Sequence, residues 1–274
     1  MSAPSLRELI RRFGLTKAGR GDCPACHYKG TFRVTQRDGR VRWWCASCQD
    51  GAAIARVLGG DQERVAPRPR DDAAERKQHR ALAIWNLAQP AAHTIVESYF
   101  VRRGLPPSCA DSPALRFSWN CRHPAGFALP AMLALVWDAS GAPRAMHRTF
   151  LNPDGSGKAS ADPPRAALGP FFGGAVRLHP CAPEIVIGEG IETSLAAGLL
   201  LGLPAWSAIA AGNLASALIL PPEVRAVTIA ADRDGPGEEA AERAAARWRA
   251  EGRTVHIATP DRLGDDFNDI LLRR

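Results

Sequence analysis

The sequence predicts an α/β protein in which a parallel sheet flanked by helices follows a small zinc ribbon and a mixed α+β basic subdomain. Three observations support this fold class. Two Cys-x2-Cys pairs lie near the N-terminus, short β-like runs separated by Gly and Pro turns fill the middle, and apolar strands alternate with helical segments after residue 183. Strands that alternate with helices form parallel, helix-covered sheets. With 274 residues, of which 46% are hydrophobic, the chain is long enough for more than one packed domain.

The first element is a short amphipathic helix within residues 1–13. This segment lacks the apolar core of a secretory signal. No apolar run in the sequence reaches the roughly 18 residues needed to span a bilayer. We therefore expect a cytoplasmic protein without a membrane partner.

Four of the seven cysteines have the spacing of a zinc ribbon: Cys23, Cys26, Cys45 and Cys48. Each Cys-x2-Cys pair supplies two thiolates from one tight turn, and tetrahedral Zn²⁺ takes four ligands. Between the pairs, residues 31–35 and 40–44 predict a β-hairpin around an Asp-Gly turn. We therefore predict one structural Zn²⁺. Two disulfides are the alternative, which a cytoplasmic location disfavours, and His27 is an alternative ligand with poorer spacing.

Basic and aromatic residues are interleaved along the predicted hairpin. Arg33 and Arg42 are predicted to contact phosphates, and Trp43 to stack on bases, because cations and aromatic rings together suit single-stranded nucleic acid. Adjacent strand residues point to opposite faces of a sheet. At least one of Trp43 and Trp44 is therefore expected to lie in the core of the ribbon.

The positive charge is concentrated in the first part of the chain, whose overall net charge is +7. Residues 1–80 contain 17 Lys and Arg against 9 Asp and Glu, residues 81–183 contain 9 against 5, and residues 184–274 contain 9 against 14. A basic first part predicts a polyanionic partner, most simply nucleic acid.

Composition divides the chain into a ribbon domain, a linker, a basic subdomain and an α/β domain, at residues 1–60, 61–72, 73–183 and 184–274. The linker is polar and contains two prolines. In the basic subdomain, helices are predicted at residues 73–88 and 93–102, and strands at 115–119, 131–136, 145–150 and 175–178. In the last domain, strands are predicted at 184–188, 205–210, 224–231 and 254–258, and helices at 191–201, 236–251 and 267–272.

Acidic residues follow three of the predicted strands in the last domain: Glu189, then Asp232 and Asp234, then Asp266 and Asp269. In a parallel α/β sheet, ligands collect beyond the carboxyl ends of the strands. Clustered carboxylates are costly unless a cation neutralises them, and hard divalent cations prefer oxygen ligands. Single acids of this kind are common helix caps, but three groups on strand ends predict a Mg²⁺ or Mn²⁺ site.

These residues also carry a resemblance to a known family. The segments IVIGEGIETSLAA and TIAADRDGPGEEAAERAA resemble the Toprim domain of DnaG-type primases, topoisomerases and some nucleases. The resemblance implies that Glu189, Asp232 and Asp234 are catalytic and hold the metal ion. It places Asp266 and Asp269 in the further acidic stretch of that pattern.

The preceding segments resemble the bacterial DnaG-type primase family. The segment from Cys23 to Leu58 is similar to the primase zinc-binding domain, although Cys26 stands where many primases have His. The segment from residue 129 to 169 is similar to the part of the primase core before Toprim. There the resemblance implies that Arg148, Arg165 and Lys158 bind nucleotide or nucleic acid. The order of the modules suggests a compact primase of the phage or mobile-element type.

The resemblance implies a DNA-directed RNA polymerase that acts in DNA replication. It would make short primers from nucleoside triphosphates on a single-stranded DNA template. The sequence lacks Gly-x4-Gly-Lys-Ser/Thr, so a replicative helicase partner is expected to be encoded separately. Two alternatives are a Toprim-type nuclease, which uses the same carboxylates, and a non-catalytic zinc and Toprim protein that binds DNA in recombination or replication. The ribbon and the basic subdomain favour the primase.

Overall fold

A computed structural model describes residues 5–37, 40–45, 51–58 and 72–273. The chain divides into two compact units, residues 1–70 and 71–274. Cys48, the predicted Asp-Gly turn at residues 38–39, and residues 61–71 of the predicted linker lie outside the described residues.

The N-terminal unit is a three-stranded antiparallel sheet with one helix before it and one after it in the chain. Its elements are α1 (Leu6–Arg12), β1 (Arg20–Gly21), β2 (Phe32–Arg37), β3 (Arg40–Cys45) and α2 (Gly51–Leu58). The strands pair in the order β1-β2-β3. Ser5 begins α1 by accepting a hydrogen bond from the Glu8 N–H (3.3 Å). Leu9 of α1, Phe32 of β2 and Ile54 of α2 share one small buried core.

The C-terminal unit begins with two helices and a five-stranded antiparallel sheet. Its first elements are α3 (Asp72–Leu87), β4 (Gln89–Pro90), α4 (Ile95–Arg102), a 3-10 turn (Pro107–Asp111), β5 (Leu115–Arg122), β6 (Ala128–Trp137), β7 (Pro143–Phe150) and β8 (Arg165–Leu168). The strands pair in the order β4-β5-β6-β7-β8. The central strand β6 is apolar along most of its length because both faces of this sheet are covered. Ala131 and Leu133 join the core that includes Trp85 of α3, whereas Met132 and Ala134 join a core on the opposite face.

A second five-stranded sheet follows in the same unit. Its elements are β9 (Val176–Arg177), β10 (Glu184–Gly188), α5 (Ile191–Leu201), β11 (Ala205–Ser207), β12 (Ala226–Ala230), α6 (Gly235–Ala250), β13 (Thr254–Ala258) and α7 (Phe267–Leu272). The strand order is β13-β12-β10-β11-β9. All neighbours are parallel except the edge strand β9, which is antiparallel to β11. The predicted sheet of parallel strands flanked by helices is confirmed.

Helices cover both faces of the parallel sheet. Ile187 and Ile229 point to the face where α6 buries Trp248. Val186 and Ala230 point to the other face, where α5 and α7 pack together with the antiparallel part of the unit. Two covered faces explain why β10 and β12 lack an alternation of apolar and polar residues.

Helix α5 is buried from Ile191 to Gly198, as expected for a helix between a sheet and a second layer. It packs closely on β11, since a Cβ on Gly198 would lie 2.9 Å from the Cβ of Ala205. It ends at Gly202, whose left-handed φ of 68° is the usual glycine C-terminus of a helix. No helix in the described ranges is long and apolar enough to cross a membrane.

The strand predicted at residues 205–210 is shorter than expected and ends at Ser207. Ile209 has a φ of 59°, which breaks the extended backbone. The chain then forms a π-helical turn at Asn213–Ala217. Asn213 fixes this segment because its amide donates to the carbonyls of Gly174 (2.8 Å) and Ala208 (2.9 Å). Hydrogen bonds between distant segments decided this boundary, and periodicity contains no signal for them.

Candidate active site and zinc site

The acidic residues predicted at the strand ends reach one edge of the parallel sheet. Glu189 follows β10, Asp232 follows β12, and Asp266 comes after β13. Strand β12 lies between β10 and β13, and all three run in the same direction. Burial raises the pKa of Asp232 to about 6, and the negative charges of Glu189, Asp266 and Asp234 contribute to this shift. The three acidic segments therefore act on a common site.

Asp232 is suited to holding a cation. Its Oδ1 atom is buried and accepts no hydrogen bond from the described residues. A buried carboxylate oxygen without a donor is costly unless a positive charge compensates it. In the described part of the chain, the carboxylates do not converge to within 4.8 Å as a group of three. Mg²⁺ is commonly held by one or two carboxylates and completes its shell with substrate phosphates and water.

Hydrogen bonds hold the backbone of Glu189 from both sides. The Ser207 hydroxyl donates to its carbonyl oxygen (2.8 Å). The Ser194 hydroxyl accepts from the Gly188 N–H (3.1 Å) and donates to the Gly190 carbonyl (2.6 Å). A Cβ on Gly188 would lie only 2.8 Å from this hydroxyl, so the turn requires glycine there. The strand end thus fixes where the Glu189 side chain leaves the sheet.

Asp234 is exposed at the start of α6 and caps that helix. Its Oδ1 accepts a hydrogen bond from the Gly237 N–H (2.7 Å). A Cβ on Gly237 would lie 2.8 Å from this oxygen, so glycine makes room for the cap. The second carboxylate of the Asp-x-Asp pair therefore has a structural partner as well as a position at the acidic edge.

Asp266 and Asp269 form a capping box at the start of α7. One oxygen of Asp266 accepts from the N–H groups of Asn268 (2.8 Å) and Asp269 (3.0 Å), and its other oxygen accepts from Arg103 (3.0 Å). Asp269 accepts in return from the Asp266 N–H (2.9 Å). Because both oxygens of Asp266 and one oxygen of Asp269 already have donors, the structure favours helix capping over the metal ligation predicted for the pair.

A cluster that the sequence analysis missed lies beside this edge. Glu192, in the first turn of α5, is buried and forms an ion pair with Lys158 (Oε1 to Nζ, 3.1 Å). The hydroxyl of buried Tyr99 donates to the same oxygen. Burial by itself would raise the pKa of Glu192, but Lys158, Tyr99, the backbone at the helix start and Arg165 hold it at about 2. One signal was present in the sequence: Glu192 is the single charged residue of a mostly apolar helix.

The other predicted basic residues differ in exposure. Arg165 begins β8 and is exposed, and its positive charge lowers the pKa of both Asp232 and Glu192. Arg148 of β7 is only 7% exposed, and burial lowers its pKa. Its guanidinium donates to the carbonyls of Arg122 (2.8 Å), Ala166 (3.3 Å) and Ala167 (3.4 Å).

The environment of Arg148 therefore corrects the prediction that it binds nucleotide. All three of its guanidinium nitrogens donate to backbone carbonyls that flank the sheet. Its charge also lies 5.7 Å from the centre of the Phe150 ring. Arg148 holds β7 and β8 together, and Lys158 and Arg165 remain as the candidate phosphate-binding cations.

In the N-terminal unit, three of the four predicted zinc ligands converge. The Sγ atoms of Cys23, Cys26 and Cys45 all lie within 4.8 Å of one another, the only such group of metal-binding side chains in the described residues. The Cys26 and Cys45 sulfurs are 3.7 Å apart. Tetrahedral zinc with Zn–S bonds of about 2.3 Å requires sulfurs about 3.8 Å apart, so the group fits Zn²⁺. Cys48, the predicted fourth ligand, lies outside the described residues.

The ribbon sheet exposes a different tryptophan from the one predicted to stack on bases. Trp43 is opposite the buried Val34 and packs against the ribbon core. Trp44 is 52% exposed and lies opposite Arg33, which is also exposed. Arg42 is exposed on the same face as Trp44, two residues before it. The basic and aromatic face is therefore built on Arg33, Arg42 and Trp44, and Trp43 belongs to the core.

Comparison with known proteins gives two matches along the chain. Residues 75–178 match a family described as a domain of unknown function (DUF7146), and residues 184–274 match the Toprim domain. Residues 184–274 are a Toprim domain. No curated protein matches the sequence.

Solved structures of primases share the fold of this chain. The zinc-binding and RNA polymerase domains of the Aquifex aeolicus primase match with a TM-score of 0.51 and 12% identity, over 89% of this chain and 76% of that chain. The primase fragment of the bacteriophage T7 primase-helicase protein matches at 0.45 and 15%, over 93% and 94%. A DNA primase domain from Pseudomonas aeruginosa matches at 0.49 and 16%, over 72% and 75%. The resemblance to DnaG-type primases is confirmed as a resemblance of fold.

The Toprim domain thus brings together Glu189, Asp232 and Asp234 at one sheet edge. Arg165, from the preceding antiparallel sheet, acts electrostatically on the same edge. Acidic and basic groups therefore meet where the two sheets of this unit adjoin. This arrangement can hold a divalent cation together with the phosphates of a substrate.

Proposed function

We propose that the protein is a DNA primase, which synthesises short RNA primers on single-stranded DNA by nucleotidyl transfer. One observation carries this proposal. A carboxylate oxygen of Asp232 has no hydrogen-bond donor among the described residues, and the charges of neighbouring acids and of Arg165 act on this carboxylate. A cation site beside fixed positive charges suits a triphosphate, whose metal ion and phosphates need both signs of charge.

Asp232 and Asp234, with Glu189 close by, are the residues proposed to hold Mg²⁺ or Mn²⁺. When bound, the ion supplies Lewis-acid polarisation of the phosphoryl group and neutralises its developing charge. Burial and neighbouring acids raise the pKa of Asp232, so the site favours a compensating positive charge. Glu189, whose backbone is held by hydrogen bonds of Ser194 and Ser207, is proposed to accept the proton of the primer 3′-hydroxyl.

Lys158 and Arg165 are proposed to bind the phosphates of the incoming nucleotide. Lys158 is partly exposed, with 31% of its side-chain surface accessible, and Arg165 is exposed. An ammonium group and a guanidinium group form charge-assisted hydrogen bonds with phosphate oxygens. Two cations beside the acidic edge suit the several phosphates of an incoming triphosphate.

The ribbon is proposed to bind the single-stranded template through Arg33, Arg42 and Trp44. On this face the exposed Trp44 has Arg33 opposite it on the neighbouring strand and Arg42 two residues before it on its own strand. This arrangement allows phosphate contacts and base stacking on one face. Contacts of this kind release counterions, so binding should weaken steeply with added salt. Zn²⁺ held by Cys23, Cys26 and Cys45, with Cys48 as the predicted fourth ligand, would stabilise this face.

The proposed function is tested by incubating the protein with single-stranded DNA, labelled ribonucleoside triphosphates and Mg²⁺ or Mn²⁺. We expect labelled oligoribonucleotides from wild type and none from Asp232→Asn. Degradation of the DNA without any labelled product would identify a Toprim-type nuclease in place of a primase. DNA binding with neither product would identify the non-catalytic DNA-binding alternative.

A further inference from the structure

Three separate segments of the C-terminal unit meet at the Glu192 carboxylate. Glu192 belongs to the first turn of α5, Tyr99 to α4, and Lys158 to the connection between β7 and β8. Lys158 pairs with Leu151 in an isolated β-bridge, which fixes the backbone from which its side chain extends. The ammonium lies 3.1 Å from Glu192, and Tyr99 donates to the same carboxylate oxygen.

This ion pair is asymmetric in exposure. The Glu192 side chain is 5% exposed, whereas the Lys158 side chain is 31% exposed. A buried ion pair is a poor way to gain stability, since desolvation offsets most of the attraction. The carboxylate is therefore buried inside the protein, whereas the ammonium group lies at the protein surface and is partly accessible to solvent.

The geometry leaves Lys158 able to contact a ligand. An ammonium group has three N–H donors, and Glu192 takes one of them. A lysine on a flexible four-carbon stem loses rotamer freedom when it binds phosphate alone. The fixed counter-charge of Glu192 at the ammonium group restricts the side chain before the ligand binds, which removes part of that loss.

The ion pair also adjoins the proposed active site. Only two residues, Gly190 and Ile191, separate Glu189 from Glu192 at the start of α5. The charge of Arg165 acts on both Asp232 and Glu192. Phosphates bound near Asp232 are therefore close to the group that contains Lys158.

We propose that Glu192 is a positioning residue that holds the Lys158 ammonium in place for the phosphates of the incoming nucleoside triphosphate. The inference rests on the proposed function only in naming the ligand as a nucleotide. Glu192 acts through Lys158 and does not itself contact the substrate. Tyr99 donates to the same carboxylate oxygen that Lys158 contacts and so helps to fix its position.

The test compares Glu192→Gln, Lys158→Gln and the double variant with wild type in the full chain. Glutamine keeps the shape of Glu192 and a hydrogen bond to Tyr99 but removes the counter-charge. Glu184→Gln is the matched control, because Glu184 is exposed at the opposite end of β10. Two readouts are needed: the Kd for ATP with Mg²⁺, measured without DNA, and the KM and kcat for nucleotide in primer synthesis.

We expect Glu192→Gln to raise the Kd and the KM about tenfold, the scale of one charged hydrogen bond, with little change in kcat. Lys158→Gln should have a similar effect. The double variant should have the same Kd for ATP as Lys158→Gln alone, because Glu192 acts through Lys158. Glu184→Gln should bind ATP like wild type. Thermal unfolding of each variant identifies losses caused by misfolding.

Two results would overturn the inference. One is a wild-type Kd for ATP in a folded Glu192→Gln variant. The other is a double variant whose fold-increase in Kd equals the product of the two single-variant increases. Independent effects multiply in this way, and a purely structural role of Glu192 would be independent of Lys158. If wild type binds ATP and Glu192→Gln binds ATP more weakly, but wild type forms no primers, the positioning role stands and the primase proposal fails. If wild type does not bind ATP, the inference is wrong.

Discussion

Replacing Asp232 with asparagine should stabilise the metal-free protein while removing its activity. Burial and three neighbouring acids raise the pKa of Asp232 from an ordinary 3.8 to about 6. The ionised side chain therefore destabilises the folded state at neutral pH. Each pKa unit corresponds to about 1.4 kcal/mol, which sets an upper limit of roughly 3 kcal/mol. Part of the side chain is accessible, so we expect Asp232→Asn to raise the free energy of unfolding by about 1–3 kcal/mol at pH 7.

The sign of this effect fixes its pH dependence. A pKa raised in the folded state gives a contribution to stability that is complete below pH 3.8 and is lost as pH rises through about 6. The stability difference between Asp232→Asn and wild type should therefore be small near pH 4, grow between pH 4 and 6, and level off above about pH 6. Urea unfolding in a buffer without Mg²⁺ or Mn²⁺, repeated across this range, measures the difference directly.

Asp234→Asn provides the matched control. Asparagine caps helices about as well as aspartate, so the hydrogen bond to Gly237 is retained and stability should change by less than about 0.5 kcal/mol. Added Mg²⁺ should stabilise wild type more than Asp232→Asn, since binding to the folded state raises its stability. If Asp232→Asn is strongly destabilised at pH 7 in the absence of Mg²⁺ and Mn²⁺, Asp232 is a structural acid and the reasoning about the cation site is wrong.

The remaining predictions concern the proposed general base Glu189, the single zinc ion, and the basic and aromatic face of the ribbon that is proposed to bind the template. Glu189→Gln should bind template and nucleotide nearly normally but form dinucleotides about 10²–10⁴-fold more slowly; a wild-type rate in a single-turnover assay would exclude a role as general base. Elemental analysis should find one Zn²⁺ per chain, lost in Cys45→Ser and retained in His27→Ala, and zinc-free wild type would contradict the ribbon. Trp44→Ala should weaken single-stranded DNA binding by about 1–3 kcal/mol, measured by fluorescence anisotropy, and equal affinity of variant and wild type would remove Trp44 from the template face.

The strand ends and the cysteine pairs could be predicted from the sequence because local patterns encode them. Strand β10, helix α5, strand β13 and helix α7 have the bounds predicted from apolar runs and their flanking residues. A parallel sheet then requires the residues after β10, β12 and β13 to share one edge. For the same reason, Glu189 and Asp232 could be named before any coordinates.

The roles of individual side chains were decided by neighbours that are distant in sequence. Arg148 looked like a phosphate ligand, but carbonyls from residues 122, 166 and 167 occupy its donors. Trp43 and Trp44 are adjacent, and only the register of β2 against β3 shows which one is exposed. Asp266 looked like a metal ligand until Arg103 and the start of α7 accounted for its oxygens.

By itself, the sequence determined the order of the modules, the zinc-binding cysteines as a hypothesis, and the acidic edge of the Toprim sheet. Each depends on spacing or periodicity within a few tens of residues. Only the tertiary structure assembled Tyr99, Lys158 and Glu192, because that cluster joins α4, the connection after β7 and the start of α5. Its energy arises from burying a carboxylate beside an ammonium, and burial is a property of the packed fold that no local pattern contains.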